Sequence, residues 1–299
     1  MDRLHHAVRF GGNVDPTAND PGWPLRLTRT IERAGLDYIG IQDHPYNAGF
    51  LETWTVIATL LQATERVHIF PNVANLPLRP PAMLAKAAAT LDVLSGGRLE
   101  LGLGAGGFRQ GIEAMGGPGR SKGESITALE EAVHIIQAFW SGAPALRVVG
   151  EHYTLKGVHP GPPPAHPIGL WLGVYGPRGL ELTGRLADGW IPSSSYAPPE
   201  RLPEMQRRID DAALAAGRQP QAIRRLYNVM GLIADGPVHG LLTGPVSYWV
   251  EELTRLALEI GMDTFVYWPS DDRLRQMERF AAEVVPAVQA EVAKARGSS

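Results

Sequence analysis

The stretch LDVLSGGRLELGLGAGG, residues 91 to 107, carries the pattern on which the fold turns. It closes a helix, turns on Gly96-Gly97, runs as a short apolar strand and ends in glycines. The helix before it begins at Pro80-Pro81, where proline costs no helical hydrogen bond. Leu84, Ala87, Ala88, Leu91 and Leu94 then recur at helical spacing. A helix, a glycine turn and a buried strand make one unit of an alternating α/β chain.

The same unit recurs in both directions. Strands are expected at 4–10, 37–42, 66–73, 98–104, 168–174, 189–193, 226–234 and 263–269. Helices are expected over Leu27–Ala34, 52–63, 80–95, Ile126–Trp140, Leu180–Ala187, Leu202–Ala216 and Val246–Ile260, and from about Asp272 onward. Several strands are apolar on both faces, as buried parallel strands must be. Eight strands, each followed by a helix, in 299 residues predict a single (β/α)8 TIM barrel spanning 1–299. A doubly wound open sheet is the alternative, and the count and the length favour the barrel. Two insertions break the rhythm: 105–125, after the fourth strand, and 141–167, before the fifth. The second contains a small hairpin in RVVGEHYTLKGV (147–158). Loops of this length in a compact domain are functional or mobile.

Composition excludes several classes. The chain has 28 basic and 31 acidic residues, a net charge of −3, without the basic excess of a nucleic-acid binder. No apolar run reaches the ~18 residues of a membrane span. The opening MDRLHHAVRF lacks the form of a signal peptide, so a cytoplasmic protein is expected. There is no cysteine, hence no disulfide, thiolate nucleophile or cysteine metal site. The histidines show no metal-ligand spacing, and no metal is expected.

In such barrels the active site lies at the C-terminal ends of the strands. That mouth is rich in glycine, aromatic and small polar residues and suits a flat ligand carrying a phosphate. GLGAGG (102–107) is not a dinucleotide fingerprint, because that motif needs a helix at once and a long loop intervenes here. Its glycines are expected to let backbone approach a flat ring. In GVYGPRGLEL (173–182), Gly176 turns and Pro177 starts a helix. The amides of Arg178 and Gly179 then face an incoming anion, although a plain helix start reads the same way. His44, beside Asp43, can move a proton near neutral pH; the alternative is a loop histidine with a satisfied hydrogen bond.

LAKAAATLDVLSGGRLELGLGAGG (84–107), GLWLGVYGPRGLELTGRLADGWI (169–191) and YIGIQDHPY (38–46) together resemble the bacterial luciferase-like family of flavin- and deazaflavin-dependent oxidoreductases. The likeness spans essentially the whole chain and is greatest to the branch that uses coenzyme F-420. It implies an eight-fold barrel, a homodimer, and His44 as the residue handling a proton beside the deazaflavin. It implies cofactor contacts at Asp43, at a bulge at Asn72-Val73 that often carries a non-proline cis peptide, and at Asn75. Ala105, Gly106 and Gln110 follow after the fourth strand, and Tyr175, Gly176, Arg178 and Gly179 hold the phosphate. The sugar-phosphate dehydrogenases of that branch carry a glutamate where this chain has Gly107, so their reaction is not assigned.

Phe10, Tyr46, Tyr196, Tyr267 and Trp268 are candidates for a wall around a small-molecule substrate. Arg79, Arg109, Arg120, Lys122 and Lys156 are available to the acidic tail of F-420. The rival readings are an FMN-dependent monooxygenase and a barrel that carries a flavin-like molecule without catalysis.

Overall fold

A computed structural model describes residues 6–297, so Leu4 and His5 of the first expected strand lie outside the described residues. Eight strands form the barrel: β1 (Arg9–Asn13), β2 (Tyr38–Ile41), β3 (His68–Pro71), β4 (Leu101–Gly104), β5 (Leu170–Leu172), β6 (Gly189–Trp190), β7 (Arg224–Ile233) and β8 (Thr264–Pro269). Every pairing among neighbours is parallel, in the order β3-β2-β1-β8-β7-β6-β5-β4. A parallel bridge between Ile69 and Leu99 joins β3 to the start of β4 and closes the ring. Above it, Ala74–Asn75 pairs with Leu103 and Gly104. The expected TIM barrel is therefore the fold.

The helices are α1 (Trp23–Arg33), α2 (Thr53–Gln62), α3 (Pro81–Ser95), α4 (Arg109–Ala114), α5 (Lys122–Trp140), α6 (Pro177–Leu186), α7 (Leu202–Ala215), α8 (Val246–Arg255), α9 (Arg273–Arg279) and α10 (Val285–Gly297). One π turn extends α8 over Leu256–Ile260, and another joins α9 to α10 over Phe280–Val284. The segment 105–125 is not wholly irregular, since it contains α4. The hairpin before β5 pairs Leu146–Val149 with Thr154–Val158, antiparallel.

Strand alternation sorts side chains into two layers. Phe70, Trp171, Ile191, Leu226 and Val266 fill the lumen, with Tyr38, Val73 and Trp268 against them. The opposite faces pack beneath the helices, where Leu27, Ile31, Ile57, Leu60, Ile136 and Trp249 are buried. Large lumen side chains need small neighbours: a Cβ on Gly11 would meet Tyr38, and one on Gly189 would meet Trp171. No helix among the described residues is long and apolar enough to cross a membrane.

Candidate active site at the barrel mouth

Asp43 sits just past β2 with its side chain fully buried. Its Oδ2 accepts from the Asn75 backbone N–H at 2.9 Å and from Arg79 Nε at 2.6 Å. Its Oδ1 accepts from Arg79 Nη2 at 2.7 Å, completing a two-pronged guanidinium–carboxylate pair. Arg79 also reaches Glu52, whose carboxylate caps α2 through the Trp54 and Thr55 amides. Asp43 thus joins the end of β2 to the segment after β3, and it acts by holding Asn75 and Arg79 in place. This corrects two expectations: the Asp43 side chain has no surface to offer a ligand, and Arg79 is not a free cation for an acidic tail. Arg109 pairs with Glu113, and Arg120 donates to the Tyr153 hydroxyl and lies over its ring. Lys122 and Lys156 are exposed.

His44 follows, half-buried, with Nδ1 2.8 Å from the Tyr46 hydroxyl. Burial pulls its pKa below the ordinary imidazole value, against the opposing effects of Asp43 and Asp15. His44 is therefore neutral at pH 7, with one ring nitrogen able to accept a proton. The Tyr46 ring packs edge-on against Phe108 at 5.0 Å. Gly111 of α4 leaves room for both rings, since a Cβ there would sit 2.5 Å from Phe108 and 2.7 Å from Tyr46.

The Asn72–Val73 peptide bond is cis, and these residues form the break between β3 and the Ala74–Asn75 pairing. A Cβ on Gly102 would lie 2.3 Å from the Pro71 carbonyl oxygen, and one on Gly104 2.6 Å from Val73 Cγ2. On Gly173 a Cβ would lie 3.0 Å from Val73 Cγ1. The glycines of GLGAGG within β4 thus make room for the bulge itself, a correction to the expectation that they face a ring. Gly107 differs: a Cβ there would meet nothing within 4 Å. The position of the missing glutamate has space for a side chain.

Asn72 crosses the lumen to Asn228 of β7, donating to its Oδ1 at 2.7 Å and accepting from its Nδ2 at 3.3 Å. Asn228 also donates to Ser193 Oγ at 3.0 Å and accepts from Trp268 Nε1 at 3.2 Å. Asn75 Oδ1 is buried without a hydrogen-bond partner. Asn228 escaped the sequence reading, although one polar residue inside LYNVMGLIA was a signal. So did Asp15, which accepts from Asn13 Nδ2 at 2.7 Å and Gln42 Nε2 at 2.5 Å and pairs with Arg273.

Ala105 and Gly106 are half-buried, and Gln110 is exposed on α4. At the fifth strand, Gly176 precedes α6 in extended conformation with Pro177 as its first residue. The amides of Arg178 and Gly179 have no carbonyl one turn back to pair with. A Cβ on Gly176 would meet nothing within 4 Å, so the space there is open. Arg178 leans on the first turn of α5, donating to the Gly123 carbonyl at 3.3 Å and Thr127 Oγ1 at 3.2 Å. The Tyr175 hydroxyl accepts from the Ser193 amide at 3.2 Å, and its ring lies 5.5 Å from that of Tyr196.

Two of the five proposed wall residues are not at the mouth. Phe10 is 1% exposed and packs on Phe265 and Phe280. Tyr267 is 0% exposed, stacks near Trp249 and Phe280, and donates to Gln276 Oε1 at 2.7 Å. Both point outward beneath the helices, because alternation from Val266 and Trp268 puts Phe265 and Tyr267 on the outer face. Trp268 faces the lumen, and Tyr196 is exposed. Met230, on the same β7 face as Asn228, is exposed and was missed.

Residues 5–237 match the model of the luciferase-like monooxygenase family. The chain belongs to this family of oxidoreductases. An F-420-dependent glucose-6-phosphate dehydrogenase of Microbacterium testaceum is 26% identical over 250 residues, covering 81% of this chain and 73% of that protein. An F-420-dependent secondary alcohol dehydrogenase, solved with an F-420-acetone adduct, superposes with a TM-score of 0.84 at 20% identity, over 95% of this chain and 99% of that one. A riboflavin lyase solved with modified FMN and riboflavin has a TM-score of 0.79 at 16% identity, covering 98% of this chain and 92% of that one. These two likenesses concern the fold.

Proposed function

We propose that this family member is a coenzyme F-420-dependent oxidoreductase acting on a small organic substrate, with His44 handling the proton. The observation that carries the reading is the environment of His44: a half-buried imidazole with Nδ1 2.8 Å from the Tyr46 hydroxyl, following an Asp43 that is tied to Asn75 and Arg79. The residues fit the cofactor. Asn75 Oδ1 is a buried acceptor lacking a donor, and the open turn at Gly176 suits an anion.

Asn72 and Val73 would back the ring, with Ala105, Gly106 and Gln110 alongside, and Tyr175, Gly176, Arg178 and Gly179 would hold the phosphate. When bound, the deazaflavin supplies two-electron, hydride-level chemistry. The chain's own contribution is to hold the two reactants at contact distance, a large part of any rate gain. Its second contribution is to accept or return a proton at a His44 ring nitrogen. Tyr46, Tyr196, Trp268 and Met230 would border the substrate. With glycine at 107, the substrate is one that needs no carboxylic acid from that position.

Titration with F-420 and FMN side by side, each oxidised and reduced, tests the cofactor. Tighter binding of F-420 is expected. Equal or tighter binding of FMN would establish the flavin reading, which the shared fold with an FMN-binding lyase favours. Binding of either cofactor with no turnover on any acceptor would leave a carrier.

A further inference from the structure

At the other end of the barrel, three side chains converge that the proposed reaction does not use. His68 opens β3, Glu100 immediately precedes β4, and His166 lies on the return from the hairpin to β5. His68 Nδ1 is 3.2 Å from Glu100 Oε1, and His166 Nε2 is 3.4 Å from the same oxygen. One ligand atom from each of the three residues lies within 4.8 Å of the other two. We propose that His68, Glu100 and His166 bind a divalent transition metal of the zinc class, which clamps the closing seam of the barrel.

The geometry suits that ion. Bonds of about 2.0–2.1 Å in a tetrahedral nitrogen–oxygen site put neighbouring ligand atoms about 3.3 Å apart, close to the 3.2 and 3.4 Å that separate the two histidine nitrogens from Glu100 Oε1. The outer contacts are also in place. Asp92 Oδ1 lies 2.7 Å from His166 Nδ1, the arrangement by which a carboxylate fixes the tautomer of a ligating imidazole. That turns Nε2 toward Glu100. Asp92 Oδ2 accepts from the Ala165 and His166 amides at 2.7 and 3.0 Å, setting the backbone as well as the ring. Glu100 Oε2 accepts from the Gly169 amide at 2.6 Å, leaving Oε1 for the ion.

Glu100 is 9% exposed, His166 25% and His68 34%, which leaves a side open for water as fourth ligand. A groove of about 460 Å³, lined by Trp140, His166, Leu170 and Asp188 among others, opens beside it. The location explains a use. β3 and β4 meet here through the single Ile69–Leu99 bridge, and His68 and Glu100 are the residues flanking it. An ion shared by His68, Glu100 and His166 would tie both strands and the long insertion together where strand pairing is thinnest. Ligands 32 and 66 residues apart leave no motif in the sequence, so spacing gave no sign of them.

The test is to dialyse the whole protein against a chelator and titrate it with Zn²⁺, and separately with Co²⁺. One equivalent per chain is expected, with the intense visible bands of four-coordinate Co²⁺ and a raised melting temperature. His68→Ala, whose side chain is the most exposed of the three, should keep a native circular dichroism spectrum and weaken the metal at least tenfold. His166→Gln should do the same, and His159→Ala, a surface control, should change nothing. Substoichiometric binding, the weak spectrum of octahedral Co²⁺, full affinity in His68→Ala, or binding without a gain in melting temperature would each overturn the proposal. Affinity for F-420 is read separately and is expected to be unchanged in His68→Ala, so the two proposals stand or fall apart.

Discussion

In the proposed reaction His44 handles the proton, and its burial sets the pH dependence expected of turnover. Its folded pKa lies below 6.5, with burial as the first cause. Where His44 accepts a proton, kcat/KM should hold steady above pH 6.5 and fall at a pH below 6.5 as the ring charges. The same sign applies to stability: the contribution of the neutral ring is full above pH 6.5 and is lost as pH drops through the folded value. His44→Ala should keep cofactor affinity and lower turnover by about 10²- to 10⁴-fold; unchanged turnover would remove His44 from the mechanism. Arg79→Met should act differently. It leaves the Asp43 carboxylate buried without its partner, a loss of about 3–5 kcal/mol that urea unfolding would measure. His44 was legible as a histidine after a strand. The role of Asp43 was not, because its partner Arg79 is 36 residues away and only folding brings them together.

At the scale of elements, β4 makes the sharpest prediction. Gly102→Ala would push a methyl group into the Pro71 backbone oxygen, and a backbone atom cannot swing aside as a side chain can. Overpacking of this kind costs about 1–3 kcal/mol, and cofactor affinity should drop with it as the Asn72–Val73 bulge moves. Gly107→Ala meets nothing and should change the melting temperature little. A thermal-shift comparison of the two variants decides the point. The existence of these elements was readable because apolar spacing follows the periods of helix and strand. Their ends were less so: β5 and β6 are shorter than expected, and β7 starts two residues earlier. The helix α4 was missed because its only buried residues are Gly111 and Ile112, too few to show a helical period.

The whole molecule is two shells, lumen and helix layer, and which shell a residue joins decides what its loss does. Phe10→Ala should cost about 3–5 kcal/mol and leave KM unchanged, since Phe10 packs between barrel and helices. Met230→Ala should barely move stability and should change KM, since Met230 is exposed on the Asn228 face of β7. Denaturation and steady-state kinetics on the pair test this division, and the reverse pattern would refute it.

From the sequence alone came the eight-fold alternation, the ordering of glycine turns and helix starts, and the family, because these are local: periodicity, proline and glycine act within a few residues. The facing of Phe10 and Tyr267, the Asn72–Asn228 contact across the lumen, the Asp43–Arg79 pair and the convergence of His68, Glu100 and His166 were decided only by tertiary structure. Each depends on how strands far apart in the chain register around a closed ring, and closure is a property of all eight strands at once.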